Sequence, residues 1–301
     1  MKSFAEIIEA AKKVPACRIA VAAAEDEHVL DAVVEAKERG IAEAVLVGSK
    51  TKIETIASKM NIDINCFEII DEPDTAKAAL KAVQLVSSGQ AQAVMKGLVA
   101  TADMLRAVLN KEVGLRAGKN ILSHVAVAEI PGFDRLIIIT DAAMNVTPDL
   151  LQKAQIVQNA VSVAHAIGVE CPKVACLAAV EVVNSDMPAC VDAAALSKMA
   201  ERGQLKGCII DGPLALDNAV SVEAAEHKGI KSQVAGRADI LMVPELVSGN
   251  VLYKSITYFA KGNLTGIIVG AKAPVIVTSR SDSAEAKLNS IALAVMAAQA
   301  K

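Results

Sequence analysis

The 301-residue sequence contains no tryptophan, two tyrosines and four phenylalanines, so aromatics make up only 2% of it. A chain this poor in rings lacks the stacking platforms on which single-stranded nucleic acids are held, and any nucleotide it binds must rest on aliphatic walls. Basic charge is not in excess either. Against 34 Asp and Glu stand 31 Lys and Arg, a net charge of -3, which gives no attractive field for nucleic acid or an anionic membrane surface. No apolar run approaches the ~20 residues that span a bilayer. The start, MKSFAEIIEAAKKVPA, is amphipathic and charged throughout, which reads as a cytoplasmic protein with no membrane partner. The six cysteines (Cys17, Cys66, Cys171, Cys176, Cys190, Cys208) form no CxxC pair, and the four histidines (His28, His124, His165, His227) lie far apart. Neither a disulfide framework nor a metal site is expected, and the thiols read as small buried side chains.

What the chain has in quantity is aliphatic side chains. Its hydrophobic fraction of 53% suits a large buried core, and its length implies two domains, since single cores rarely grow beyond ~250 residues. Short β-branched runs alternate with segments of helical period, the rhythm of βαβ units, which makes the fold class α/β. RIAVAAA (18–24), EAVLVG (43–48), FEII (67–70) and AQAVMKG (91–97) read as strands, with helices near 26–39, 51–60 and 73–88. Their continuous apolar character fits strands covered on both faces. ILSHVAVAEI (121–130) and RLIIITD (135–141), joined by Pro131-Gly132-Phe133-Asp134, read as an antiparallel hairpin. Further helices are expected over 148–167, 187–202, 219–227, 249–260 and 283–300. Strands are expected over 173–180, 207–212 and 238–244, then GIIVG and PVIVTS. No linker, repeat or low-complexity tract interrupts the pattern, so the domain crossing should be compact, just after Asp141-Ala142-Ala143-Met144-Asn145.

Open α/β sheets bind ligands beyond the carboxyl ends of their strands. Five predicted strand ends carry polar groups: Lys96-Gly97 with Thr101 and Arg106; Asp141 with Asn145; Asp211-Gly212-Pro213 with Asp217; Pro244-Glu245 with Ser248-Gly249-Asn250; and Ser279-Arg280. This mixture of cations, hydroxyls and glycines suits an anion better than a metal. Serine and glycine at helix starts can hold phosphate oxygens, and arginine adds a forked donor. Each feature also has a plainer reading. Ser248 and Asn250 can be helix caps, as can Ser281 or Asp282; Asp211-Gly212-Pro213 reads as a turn; and Arg106, on a predicted helix, can be merely solvated. SGNVLYKS (248–255) lacks the glycine before lysine that a phosphate loop requires, and no GxGxxG is present. The residues by themselves lead to an α/β enzyme acting on a phosphate-bearing ligand.

Five blocks carry a resemblance: VMKGLVATADMLR (94–106), SHVAVAEIPGFDRLIIITDAAMNVTPDL (123–150), IIDGPLALDNAV (209–220), VAGRADILMVPELVSGNVLYKS (234–255) and PVIVTSRSDS (274–283). In this order they resemble the phosphate acetyltransferase/phosphate butyryltransferase family, and more closely its butyryl branch. The resemblance implies two α/β domains with a cleft between them, like the isocitrate/isopropylmalate dehydrogenases. It puts residues 1–145 plus 275–301 in domain I and 146–274 in domain II. It implies reversible acyl transfer between coenzyme A and inorganic phosphate, by direct attack in a ternary complex. Coenzyme A is then a substrate, no cofactor is tightly bound, and the chain is a homo-oligomer, at least a dimer. Butyryl is the first-choice acyl group and acetyl the second. An NAD(P)-linked oxidoreductase of the same architecture and a non-catalytic coenzyme A or acyl-phosphate sensor stand as alternatives.

By this resemblance Ser279 bonds near the reacting carbonyl or thiol and Arg280 binds phosphate. Arg106 is a second phosphate or coenzyme A contact, and Lys96, Thr101, Asp141, Asn145, Gly249 and Asn250 line the site. The acetyl branch carries a carboxylate seven residues after the serine, a position held here by Ala286. Asp282 and Glu285 are the nearest carboxylates, and Asp282, closer to the strand end, is the first choice for base. Accordingly, Asp282→Asn should lower the coenzyme A-dependent rate much more than Glu285→Gln; equal, small effects in steady-state assays would refute the assignment.

Overall fold

The computed structural model describes residues 1–278 and 282–299. In chain order the first part carries α1 (Phe4–Ala11), β1 (Arg18–Ala22), α2 (Glu27–Glu38), β2 (Glu43–Gly48), α3 (Lys50–Met60) and β3 (Glu68–Asp71). Next come α4 (Thr75–Ser87), β4 (Ala93–Lys96), α5 (Thr101–Val108), β5 (Ser123–Glu129), β6 (Ile137–Thr140), α6 (Leu150–Ala166) and β7 (Lys173–Leu177). Then follow α7 (Pro188–Glu201), β8 (Ile209–Leu214), α8 (Leu216–Val220), α9 (Val222–His227) and β9 (Ile240–Met242). Last are α10 (Leu246–Tyr258), β10 (Asn263–Val269), β11 (Val275–Ile276) and α11 (Ala284–Gln299). The chain is mixed α/β. Among the described residues no helix is long and apolar enough to cross a membrane.

Two compact units emerge. A terminal unit comprises Phe4–Asn120 and the chain from Thr265 onward; a central unit comprises Met1–Ser3 and Ile121–Leu264. Both crossings come earlier than the 145 and 275 expected from the sequence. Pairing explains the first: β5 pairs antiparallel with β6 (Val127 opposite Ile138), and β6 pairs in parallel with β9 (Ile138 opposite Ile240), so the hairpin belongs to the central sheet. At the second crossing, buried Thr265 donates to the Ala286 carbonyl of α11 at 3.2 Å, which ties the rest of β10 to the terminal unit.

In the terminal unit the strands run β3-β2-β1-β4-β11-β10. β1 is flanked in parallel by β2 and β4, β11 joins β4 in parallel, and β10 lies antiparallel to β11. β1 and β4 are continuous runs of buried aliphatics, Ile19-Ala20-Val21-Ala22 and Ala93-Val94-Met95, as parallel strands covered on both faces require. Helix starts are set locally. The Asp26 carboxylate accepts from Val29 N at the start of α2, and that of Asp74 accepts from Ala76 N and Lys77 N at the start of α4. Helix α11, buried from Lys287 through Val295, packs against α1 and α2.

The central unit's strands run β5-β6-β9-β7-β8. Its core interleaves Ala126, Ile137 and Ile139 of the hairpin with Ala175, Leu214, Leu241 and Val243 from the parallel strands. Helix α6 starts with a capping box, the Asp149 carboxylate accepting from Gln152 N while the Gln152 side chain accepts from Asp149 N. Asp211-Gly212-Pro213, expected as a turn, lies instead inside β8. β8 is an outermost strand, the position in a sheet where a proline is tolerated. Gly212 is required there for a different reason: a Cβ would lie 2.8 Å from Cys176 Cβ and 2.9 Å from its carbonyl oxygen.

A charge pair with a buried cation and a half-buried carboxylate ties α6 to α7. Lys153 is 6% exposed, and its ammonium donates to Asp192 Oδ2 at 2.6 Å. Removing one partner of such a pair leaves a charge stranded in the core, which costs more than the pair itself contributes. Asp192→Ala should therefore destabilise the protein by about 3 kcal/mol, read as a lower urea midpoint. A loss below about 1 kcal/mol would show that water already compensates Lys153.

Candidate active site

In the central unit, four residues singled out from the sequence come together around one turn. The chain leaves β6 at Asp141, which is 2% exposed. Oδ1 of Asp141 accepts from Ala143 N at 2.9 Å and Met144 N at 3.0 Å, and Oδ2 accepts from Asn145 Nδ2 at 2.6 Å. Asn145 Nδ2 also donates to the Leu122 carbonyl at 2.9 Å, just ahead of β5. Asn250 Nδ2 reaches the Ala142 carbonyl at 3.4 Å from α10. Gly249 is where α10 meets this turn. A Cβ there would lie 2.7 Å from Val243 Cγ2 and 2.8 Å from the Asp141 carbonyl oxygen, so only glycine allows the approach. Asp141 is therefore a fixed anchor with both oxygens engaged.

Two sequence expectations change in this region. Gly249 and Asn250 belong to helix α10, which begins at Leu246 rather than at 249. Its N-cap is Glu245, whose carboxylate accepts from Val247 N at 2.6 Å and Ser248 N at 2.7 Å; Ser248 and Asn250 are not the caps. Burial acts to raise the Glu245 carboxyl, but the Ser248 and Val247 bonds outweigh it and hold it below its ordinary value. These first-turn amides of α10 are thus bonded within the helix cap itself.

In the terminal unit, Lys96 ends β4 with its ammonium turned back on the chain, donating to the carbonyls of Gly97 and Val99 at 3.2 Å each, and only 6% exposed. The turn is tight. A Cβ on Gly97 would collide with the Ala23 carbonyl, and Ala23 itself adopts a left-handed φ of 53°. Thr101 opens α5 and is exposed. Arg106, further along α5, is an exposed side chain paired with Asp103 on the same helix. Thr101 and Lys96 thus share the β4–α5 turn, whereas Arg106 points along the helix surface toward solvent.

Ser279 and Arg280 lie outside the described residues. Asp282 and Glu285 lie within them, just before and inside the first turn of α11. At the start of this helix the Ser283 Oγ accepts from Ala286 N at 3.2 Å, a capping bond from a residue not singled out in the sequence; Ser281 lies outside the described residues. Lys287, four residues further, was not anticipated from the sequence. It is 2% exposed and its Nζ donates to the Asp282 carbonyl at 2.6 Å. Burial lowers its ammonium below the ordinary value, against the opposing influence of Asp26 and Asp282. In the sequence Lys287 lies among Glu285, Asn289 and Ser290, ahead of the apolar run that begins at Ile291, and so reads as solvated. Among the described residues no group of three or more His, Cys, Asp or Glu could hold a metal ion.

Comparison with known proteins agrees with this arrangement of blocks. The family model described as "Phosphate acetyl/butaryl transferase" matches residues 3–78 and 72–295. The chain is 58% identical over 298 residues to the phosphate butyryltransferase of Clostridium acetobutylicum, covering 99% of each chain. It is 46% identical over 279 residues to the phosphate acetyltransferase of Thermotoga maritima, covering 93% of this chain and 94% of that one. Among solved structures, a branched-chain phosphotransacylase from Enterococcus faecalis is similar with a TM-score of 0.82 at 35% identity, over 94% of this chain and 99% of that one.

The Gly249 contact yields a direct test. Gly249→Ala should push α10 away from Val243 and Ala142 and lower the thermal midpoint, by about 2–8 °C for a loss of 1–2 kcal/mol in a unit of this size. An unchanged midpoint would mean that the helix is free to move aside.

Proposed function

The chain belongs to the phosphate acetyl/butyryl transferase family, and we propose that it reversibly transfers a short-chain acyl group, butyryl first, between coenzyme A and inorganic phosphate. It is an acyltransferase. The observation that carries the reading is near-full-length similarity to a phosphate butyryltransferase, supported by the retention of Ser279 and Arg280 at the end of PVIVTSR. In this reading a phosphate oxygen attacks the thioester carbonyl carbon. The tetrahedral oxyanion collapses, the C–S bond breaks, the coenzyme A sulfur leaves with the bonding pair, and acyl phosphate forms. Most of the acceleration comes from holding two anionic reactants together and stabilising the oxyanion. Ser279 bonds near the carbonyl or thiol, and Arg280, aided by Arg106, binds phosphate through its forked donors.

The remaining residues divide by chemistry. Asp141 has both oxygens committed to Ala143, Met144 and Asn145. Its part is to hold the turn that carries Asn145 and that Asn250 reaches from α10, not to carry protons. Lys96, its ammonium on the Gly97 and Val99 carbonyls, shapes a cationic turn on which exposed Thr101 offers its hydroxyl to a substrate phosphate. In the reverse direction a coenzyme A thiol, with a pKa near ~8.5, needs modest help to ionise. Asp282, just ahead of α11, is the first choice of carboxylate for that step, ahead of exposed Glu285. We extend the reading to a homo-oligomer of at least two chains, to the cytoplasm, to operation without a tightly bound cofactor, and to the two-domain architecture of isocitrate and isopropylmalate dehydrogenases.

The deciding measurement is release of free thiol from butyryl-CoA by the purified protein. Release should depend strictly on phosphate, and Arg280→Gln should raise the KM for phosphate by about tenfold or more, as loss of a charge-assisted donor predicts. Thiol release that proceeds equally without phosphate, or no release from any acyl-CoA, would overturn the proposal.

A further inference from the structure

Beyond the ends of β7 and β9, within the central unit, lies a cavity of about 600 Å³. Its walls are aliphatic: Leu177 from the end of β7, Met187 and Pro188 at the start of α7, Leu216 of α8, Val243 after β9, and Leu252 of α10. Ala178 and Ala179 line it without filling it. The polar side chains are two. Ser248 spends its hydroxyl on the Glu245 carbonyl at 3.0 Å, which leaves Asp186 as the other. Small-molecule sites run from roughly 300 to 1,000 Å³, so the space is of ligand size.

The cavity shares a wall with the candidate active site. Val243, which lines it, is the residue that leaves no room for a Cβ on Gly249, and Ser248, which also lines it, precedes Gly249 in α10. Gly249 in turn packs against the Asp141–Ala142 turn that Asn250 bonds. An apolar chain entering the cavity therefore runs beside the polar cluster rather than away from it.

We propose that this cavity receives the acyl chain of the substrate and sets a preference for four carbons or more, branched chains included; this rests on the acyl-transfer reading above. The lining selects among the parts of an acyl-CoA. A pantetheine arm carries amides and a hydroxyl, and an adenine ring carries several edge donors and acceptors; buried against these walls, most would lose their hydrogen bonds to water without replacement. An acyl chain loses nothing of the kind, and each methylene it buries is favourable. An acetyl group leaves most of the space unfilled.

The test uses the full-length protein and two substitutions on the cavity rim, where side chains are exposed enough to change without disturbing the core. Ala179 is exposed and Leu216 is 42% exposed. Wild type, Ala179→Leu and Leu216→Ala are assayed for phosphate-dependent thiol release with acetyl-, butyryl-, isobutyryl- and hexanoyl-CoA. In the reverse direction the KM values for butyryl phosphate and for coenzyme A are measured separately, with thermal midpoints as a folding control. In wild type, kcat/KM should rise by about tenfold or more from acetyl to butyryl, as two added methylenes allow. Ala179→Leu should lower kcat/KM for hexanoyl- and butyryl-CoA by about tenfold, leave acetyl-CoA within about twofold, and raise the KM for butyryl phosphate but not for coenzyme A. Leu216→Ala should shift the preference toward hexanoyl. A raised KM for coenzyme A with butyryl phosphate unaffected would assign the cavity to the coenzyme and overturn the inference. Equal effects on every acyl chain, or no effect in either folded variant, would do the same. These outcomes leave acyl transfer itself standing, whereas a wild type without phosphate-dependent thiol release removes both.

Discussion

A single buried carboxylate organises the central unit's contribution to the candidate site. Asp141 sits where β6 ends, and its two oxygens gather three donors: two successive backbone amides and the Asn145 amide. Hydrogen bonds to the charged form of a carboxylate are among the stronger kinds, and here they compensate for burying it. Asn145 passes the constraint to the segment before β5 through Leu122, and Ala142 passes it to α10 through Asn250. The approach of α10 is then limited by the absence of a side chain at Gly249. Position in this cluster is decided by closure of hydrogen bonds and by one missing methyl group, which lets α10 close on the core residue Val243.

Much of the fold was legible in the sequence because the strands are pure in character. After one charged residue apiece, RIAVA and EAVLVG are apolar to their ends, and Pro131-Gly132-Phe133-Asp134 announces its hairpin. What escaped were features fixed by pairing across distance. Asp211-Gly212-Pro213 has the chemistry of a turn, yet it is strand because it occupies the outermost position of a sheet, a fact about neighbours. The unit boundaries escaped for the same reason, since the partner of β6 arrives about a hundred residues later in β9. Helix starts were misjudged by a turn where an unusual cap prevailed: Glu245, longer than the commoner capping residues, still reaches two amides of α10.

The candidate site was partly legible in the same sense. Asp141, Asn145, Gly249 and Asn250 stand at predicted strand ends, and the central unit does draw them together. Lys96 and Thr101 likewise share a turn. Arg106 on its exposed helix face keeps the plainer reading available to it, and Ser279 and Arg280 fall outside the described residues. Lys287 was hidden because a buried ammonium leaves no periodic trace; it replaces one aliphatic side chain in a helix buried on nearly every face. The aliphatic cavity was hidden too, since its walls come from five separate elements and each contributes residues indistinguishable from core.

The position of Pro213 at the margin of the central sheet has a consequence for how copies of this chain meet. An outermost strand normally presents a row of free amides and carbonyls, a template on which a strand from another molecule can add. Pro213, the next-to-last residue of β8, has no N–H to offer such a strand. A proline on the margin disfavours growth of the sheet from molecule to molecule, so side chains on helices and loops suit an association at this end of the central sheet better than a backbone ladder does.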